Sequence, residues 1–390
     1  MPKSSRNPRI PQVETVEGAP SWRFGNDQID ACVTLQGGHL APVTFRTPAG
    51  EIQPFSIAPW GTESLAPGTP DLLKTLRGDF FCAPFGGNGT PWRGEAHPPH
   101  GETASAVWQS PRLSLPAEGR LRFEADLAPT VRAGRVSKSI EVRDGETNLY
   151  LRHTLSGFAG PMSLGHHAML KCPATSSGGH IGLSPFKSGR VLPDPFESPV
   201  VGGYSTLKPG ATFQNLQHVP LLDGSDTDLS RYPAREGFDD LVMVTTKPRP
   251  TPAWSTLAFP DAGYLWFSLR DSNVLASTIL WFSNGGRHYA PWNGRHRGVI
   301  GIEDVTSHFH YGLAESVENH AKAPAKIPTI QRLSRRKPKV VNYLMGVVPI
   351  SPDFDRVKTV RFGDRQVTFV AESGSKVHHS VDHTFLTASI

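Results

Sequence analysis

What most limits the fold of this chain is how its apolar residues are grouped. From Ile29 onward, short strand-like segments follow one another: Ile29–Leu35, Pro42–Phe45, Ala106–Gln109, Leu121–Leu127, Ser137–Val142 and Asn148–Leu155. Clusters of Gly, Pro, Asn or Asp separate most of them, as turns separate strands. The series continues through Ser163–Leu170, Leu241–Thr245, Ser255–Phe259, Tyr264–Leu269 and Ser277–Phe282. It resumes at Val340–Val348, Arg356–Phe362 and Gln366–Val370, so the chain ends inside the same all-β unit. There is no repeat of fixed period and no strand–helix–strand alternation of the kind that builds a parallel sheet. Composition agrees: 38 Gly, 36 Pro and 19% charged residues in 390 favour turns and short strands over long helices. One helix is expected, Leu313–Ala321, stopped by Pro324. Residues 1–10 read as a disordered tail. Pro173–Pro233, poor in periodicity and rich in Gly, Ser and Pro, reads as long loops of the kind that often shape a site.

Charge and cysteine usage narrow the class. Forty Lys and Arg against 35 Asp and Glu leave a net charge of +5, spread along the chain, which does not imply a nucleic-acid partner. The basic run Arg332–Lys339 reads as a solvated loop. Cys32, Cys82 and Cys172 have neither the number nor the spacing of a disulfide framework or a zinc site, which favours a reducing compartment. The N-terminus lacks the apolar run of a secretory signal and no stretch is long enough to span a bilayer. A cytoplasmic location without membrane contact is the expectation.

Against this background Gly298–Val305 is unusual. It reads as a strand of branched apolar residues, yet Glu303 and Asp304 sit side by side in it. Alternation puts Glu303 on a face with Val299 and Val305, and Asp304 on the other with Ile300 and Ile302. Whichever face is core, one carboxylate lies among apolar neighbours and must be paired or functional.

Four more stretches place polar groups in apolar surroundings. Arg77–Asn88 combines Phe80, Phe81 and Phe85 with several glycines, either as a ligand wall or as core. Pro98-Pro99-His100-Gly101-Glu102 is a rigid turn presenting a histidine. In Ser163–Leu170, His166 shares a face with Leu164 and Leu170, and His167 with Ser163, Gly165 and Lys171. Neighbouring strand residues point to opposite faces, so the two histidines cannot chelate one metal; a single one acting as acid or base is the better use. Gly237–Val244 opens a strand with Asp239 and Asp240, which would also suit a capped turn.

Taken in order, these stretches resemble the aldose 1-epimerase, or galactose mutarotase-like, superfamily from about Val33 to the end. Leu35-Gln36-Gly37-Gly38-His39-Leu40 is similar to its early glycine-containing strand. Arg77-Gly78-Asp79 with Ala83-Pro84-Phe85-Gly86 resembles a segment of the hexose-6-phosphate branch. His100-Gly101 matches a His-Gly loop, and Leu164–Leu170 resembles the strand that carries the catalytic histidine, aligned with His167. Phe238-Asp239 is similar to a sugar-holding Tyr-Asp, Gly301-Ile302-Glu303 to the strand of the catalytic glutamate, and Glu315–Asn319 with Ile327-Pro328-Thr329 to the late helix region. Where the family has Tyr-Phe-Asn after the histidine, this chain has Met-Leu-Lys, and Asp79 replaces a glycine.

The resemblance implies a single antiparallel β-supersandwich over residues 11–390, with few short helices. It also implies a cofactor-independent mutarotase, monomeric or dimeric, that interconverts aldose anomers. Glu303 would be the base and His167 the acid on opposite sides of the sugar. His100, Asp239 and Arg77 would hold hydroxyls, with His166 as the alternative histidine and Trp281 or Trp292 stacking on the ring. A non-catalytic carbohydrate-binding protein on the same scaffold is the alternative. A lyase or hydrolase would need two carboxylates, or a base with a Tyr or Arg, across one cleft, for which Asp239 with Glu303 is the available pair.

Overall fold

A computed structural model describes residues 10–322 and 327–389. The expected tail, Ile10 excepted, and the helix stop at Pro324 lie outside these residues. The described strands pair antiparallel throughout and build two large sheets, one of twelve strands and one of nine. Five strands of the larger sheet position the site: β1 (Asp79–Cys82), β2 (Leu164–Lys171), β3 (Phe238–Thr246), β4 (Ser277–Asn284) and β5 (Val299–Thr306). They lie in the order β1-β2-β5-β4-β3, so β5 is central, flanked by β2 and β4. The helix runs over Leu313–Lys322, and no described helix is long and apolar enough to cross a membrane.

Alternation along these strands separates the cores. Ile300 and Ile302 of β5 with Ala168 and Leu170 of β2 face the nine-stranded sheet and pack with its Val341, Tyr343 and Met345. Each such fully buried aliphatic side chain contributes roughly 1.5–3 kcal/mol. Val299 and Val305 of β5 point the other way. There they join Phe80, Met169, Leu241, Ile279 and Trp281 under a roof of Trp60, Leu72, Leu76 and Trp292 brought in by loops and the one-turn helix Asp71–Lys74. A third cluster forms where the C-terminal sheet of Val357–Gly363, Gln366–Ala371 and Lys376–Ser380 covers the outside of the nine-stranded sheet.

Pro173–Pro233 differs from its reading as loops. Gly179–Leu183 joins the smaller sheet and Phe186–Val191 the larger. The glycines that hide these strands mark close packing instead of turns. A Cβ on Gly189 would stand 2.0 Å from the Phe213 ring, and one on Gly182 2.6 Å from the Thr256 hydroxyl. Two N-terminal strands, Val13–Val16 and Ala19–Gly25, extend the larger sheet before the first segment recognised in the sequence.

Candidate active site

Glu303 and His167 are cross-strand partners: β5 and β2 are registered so that these two residues lie directly opposite. Both project to the loop-covered face, where Oε1 of Glu303 lies 3.3 Å from Nε2 of His167. The pair is therefore adjacent, and not on opposite sides of a ligand-sized gap as the resemblance implied. Gly301, two residues before Glu303 on the same face, leaves room for the carboxylate; a Cβ there would sit 2.8 Å from Oε1. The other atoms of the pair, Oε2 of Glu303 and Nδ1 of His167, are buried without a hydrogen-bond partner among the described residues.

Aromatic rings fix the histidine. His167 stacks on Phe80 of β1 at 4.5 Å between centroids and meets His100 edge-on at 5.1 Å. His100 comes from the turn after β1. Its backbone N–H donates to the carbonyl of Gly86 at 2.7 Å, and its Nδ1 lies 3.5 Å from Sγ of Cys82. The following Gly101 has φ +75°, and a Cβ would strike the Ala83 carbonyl at 2.3 Å, so glycine is needed to bring the histidine in.

These residues line a cavity of about 110 Å³ with Phe196, Trp281, Arg287, Trp292 and His310. A larger surface cleft of about 600 Å³ opens beside Lys171, Arg295 and Gly298, but neither Glu303, His167 nor His100 borders it. Glu303, whose carboxyl is raised by burial, meets His167 and His100 on the smaller space, which is the candidate site for that reason. Among the described residues, no three His, Cys, Asp or Glu side chains converge as metal ligands.

The electrostatics follow from burial. Removal from water pushes the Glu303 carboxyl up to about 8, with Arg287 pulling weakly the other way. Burial, helped by His100, holds His167 well below its usual 6.5, and burial, helped by His310, takes His100 to about 3. At neutral pH the Glu303–His167 pair thus holds one proton between two atoms 3.3 Å apart. Either group is able to give it while the other takes one.

The remaining sequence expectations divide. Trp281 and Trp292 line the cavity, edge to face at 5.8 Å. Asp239 lies one layer behind. Its carboxylate accepts from Ser283 Oγ at 2.9 Å, the Gly286 N–H at 2.8 Å and Trp281 Nε1 at 3.3 Å. It positions the wall and is not the second carboxylate a lyase or hydrolase would need beside Glu303. Arg77 is not brought to the site: its guanidinium donates to the carbonyls of Val16 and Glu17 at 2.9 and 2.8 Å, tying the N-terminal strands to the sheet. His166 is not brought there either, because β2 turns it inward, where Nδ1 meets Asp79 at 2.9 Å and the ring stacks on Tyr343. Asp304 faces the same interior, 2.7 Å from Arg270.

Arg287, His310 and Phe196 were missed. Arg287 did leave a signal, since it follows Gly285-Gly286 directly after a strand. Gly286 lets the backbone close on Asp239, where a Cβ would lie 2.2 Å from the Asp239 nitrogen. His310 and Phe196 come from loops with no distinguishing pattern.

No protein-family model and no curated protein sequence matches the chain, but solved structures do. A protein named provisionally as an aldose 1-epimerase, from Klebsiella pneumoniae, superposes with TM-score 0.60 at 11% identity over 88% of this chain and 83% of its own. A galactose mutarotase related enzyme from Lactobacillus acidophilus gives 0.52 at 12%, over 87% and 100%. A provisional mutarotase from Salmonella typhimurium gives 0.55 at 12%, over 89% and 97%. At such identity the likeness is one of architecture, and the chain has the galactose mutarotase-like β-sandwich fold.

Proposed function

We propose that the protein is a mutarotase that interconverts the α and β anomers of an aldose. The observation that carries this reading is the Glu303–His167 pair, registered across two central strands and facing a small cavity walled by Trp281 and Trp292. Opening a pyranose requires a proton to leave the C1 hydroxyl while another reaches the ring oxygen. Both oxygens are bonded to C1, so adjacent base and acid groups address them together. Burial holds the pair's proton on Glu303; once it passes across the 3.3 Å to His167, the carboxylate takes the hydroxyl proton and the imidazolium protonates the ring oxygen. The C1–C2 bond rotates, closure on the other carbonyl face reverses both transfers, and the pair ends with the proton count it began with. His100 would hold a neighbouring hydroxyl, and an indole face would cover the apolar side of the sugar. These chain residues complete the cycle, so the reading calls for no cofactor.

The test is polarimetry or NMR on freshly dissolved α-aldoses. Acceleration of anomerisation by the wild type and its loss in Glu303→Gln are expected. No acceleration across a panel of hexoses and pentoses would sink the reading; binding without turnover would leave a carbohydrate-binding protein in its place.

A further inference from the structure

Arg287 is the one cationic side chain bordering the cavity among the described residues, and its charge is already answered. Its Nε donates to Oε1 of Glu197 at 2.6 Å and lies 3.5 Å from Oδ2 of Asp239. Tyr289 donates its hydroxyl to the other Glu197 oxygen at 3.1 Å, which fixes that carboxylate in place. The guanidinium plane is held by aromatic faces, 4.6 Å from Trp292, 5.0 Å from Phe196 and 5.2 Å from Trp281. All the protein bonds described for this side chain run through Nε, leaving the two terminal nitrogens as donors at the cavity wall. Arg77, the cation that the sequence placed in a segment like that of sugar-phosphate enzymes, is occupied by the Val16 and Glu17 carbonyls.

We propose that Arg287, compensated by Glu197 and Asp239, is the specificity-determining residue of the site: it donates to hydroxyls of a neutral sugar and rejects sugars that carry a phosphate or carboxylate. This rests on the cavity being a sugar site. The physical reason is that an anionic group entering here would leave water for a cation whose charge is spent, and would approach the fixed carboxylate of Glu197. A hydroxyl needs only a donor, which the terminal nitrogens supply.

The test is calorimetric binding of D-glucose, D-galactose, their 6-phosphates and D-glucuronate to the whole chain. Wild type is expected to hold each 6-phosphate and the uronate at least about tenfold more weakly than the parent sugar. Glu197→Gln, with its fold checked by circular dichroism, is expected to narrow that ratio by about tenfold or more by freeing the cation. Tyr289→Phe, which merely loosens Glu197, should move it the same way by less, and carries the test if Glu197→Gln does not fold. Equal or tighter binding of a phosphorylated sugar by wild type, a ratio unmoved in a folded variant, or no binding of any sugar would overturn the assignment. If neutral sugars are preferred and none is anomerised, the proposed activity fails and the specificity assignment stands.

Discussion

Oε1 of Glu303 and Nε2 of His167 face each other across 3.3 Å from directly paired positions of β5 and β2. Strand register sets this distance, and both strands are central in the sheet, so the pair is rigid before any ligand arrives. Because the two groups trade protons as a unit, removing either should cost nearly as much as removing both. Glu303→Gln and His167→Gln should each lower kcat for anomerisation by about a hundred- to ten-thousandfold. The double variant should fall little further, far short of the product of the two losses. Polarimetric kcat and KM for the three proteins check this, and multiplicative losses would mean that the residues act independently.

The same pair dictates a pH profile unlike that of a free histidine and carboxylate. Burial raises Glu303 to about 8 and lowers His167 well below 6.5. The shared proton persists between those limits and is lost as pH rises through about 8. We expect kcat/KM to stay level through pH 6.5 and to fall on the alkaline side near 8. A rate that halves near pH 6.5 would place the titration on an unperturbed histidine and contradict the assignment.

Gly301 leaves the carboxylate its room. An alanine Cβ there would lie 2.8 Å from Oε1 and 3.2 Å from the Trp281 ring. The backbone, being central in a sheet, cannot yield as readily as the Glu303 side chain, so Gly301→Ala should push the carboxylate off His167. A displacement near 1 Å costs up to about a hundredfold in rate, whereas overpacking costs about 1–3 kcal/mol in stability. The expected result is a folded protein with kcat lowered about tenfold or more. Unchanged kcat would show that the carboxylate position is not limiting.

The sequence revealed the strand character and the two-faced environment of β5, because alternation is a local property and Val, Ile and Gly report it directly. Alternation does not name the partner of Glu303, which came from the family resemblance alone. His166 and His167 are chemically identical neighbours, and the sequence reading set His167 on the more cleft-like face; that β2 turns it toward Glu303 is settled by pairing 136 residues apart along the chain. Arg77 looked like a ligand-binding cation because its segment has the right composition, but its reach to Val16 and Glu17 depends on N-terminal strands that were not recognised. Arg287 is the reverse case: its role comes from Glu197 and Asp239, 90 and 48 residues away, and no short pattern brings those together.

Asp304 and Glu303 are neighbours in sequence with opposite thermodynamic signs. Asp304 is buried with Arg270 at 2.7 Å and accepts from Ser268 and Thr278 at 2.7 Å and Tyr343 at 2.8 Å. Ser255 donates to it as well, at 3.2 Å, so deleting it strands a buried guanidinium and four hydroxyls, and Asp304→Ala should destabilise the fold by about 3–5 kcal/mol. Glu303 has no such partners, and its folded pKa lies above the ordinary 4.5 at about 8. The unfolded chain therefore binds fewer protons than the folded one between those values. Wild-type stability should fall as pH rises across that window, by up to about 1.4 kcal/mol per unit, and the loss is complete above about 8. Glu303→Gln removes the titration, so its stability relative to wild type should grow steadily from pH 4.5 to 8 while its activity is lost. Denaturant unfolding of both variants at several pH values measures this, and a Glu303→Gln difference that stays flat or shrinks with pH would mean that the carboxylate is ionised in the folded protein.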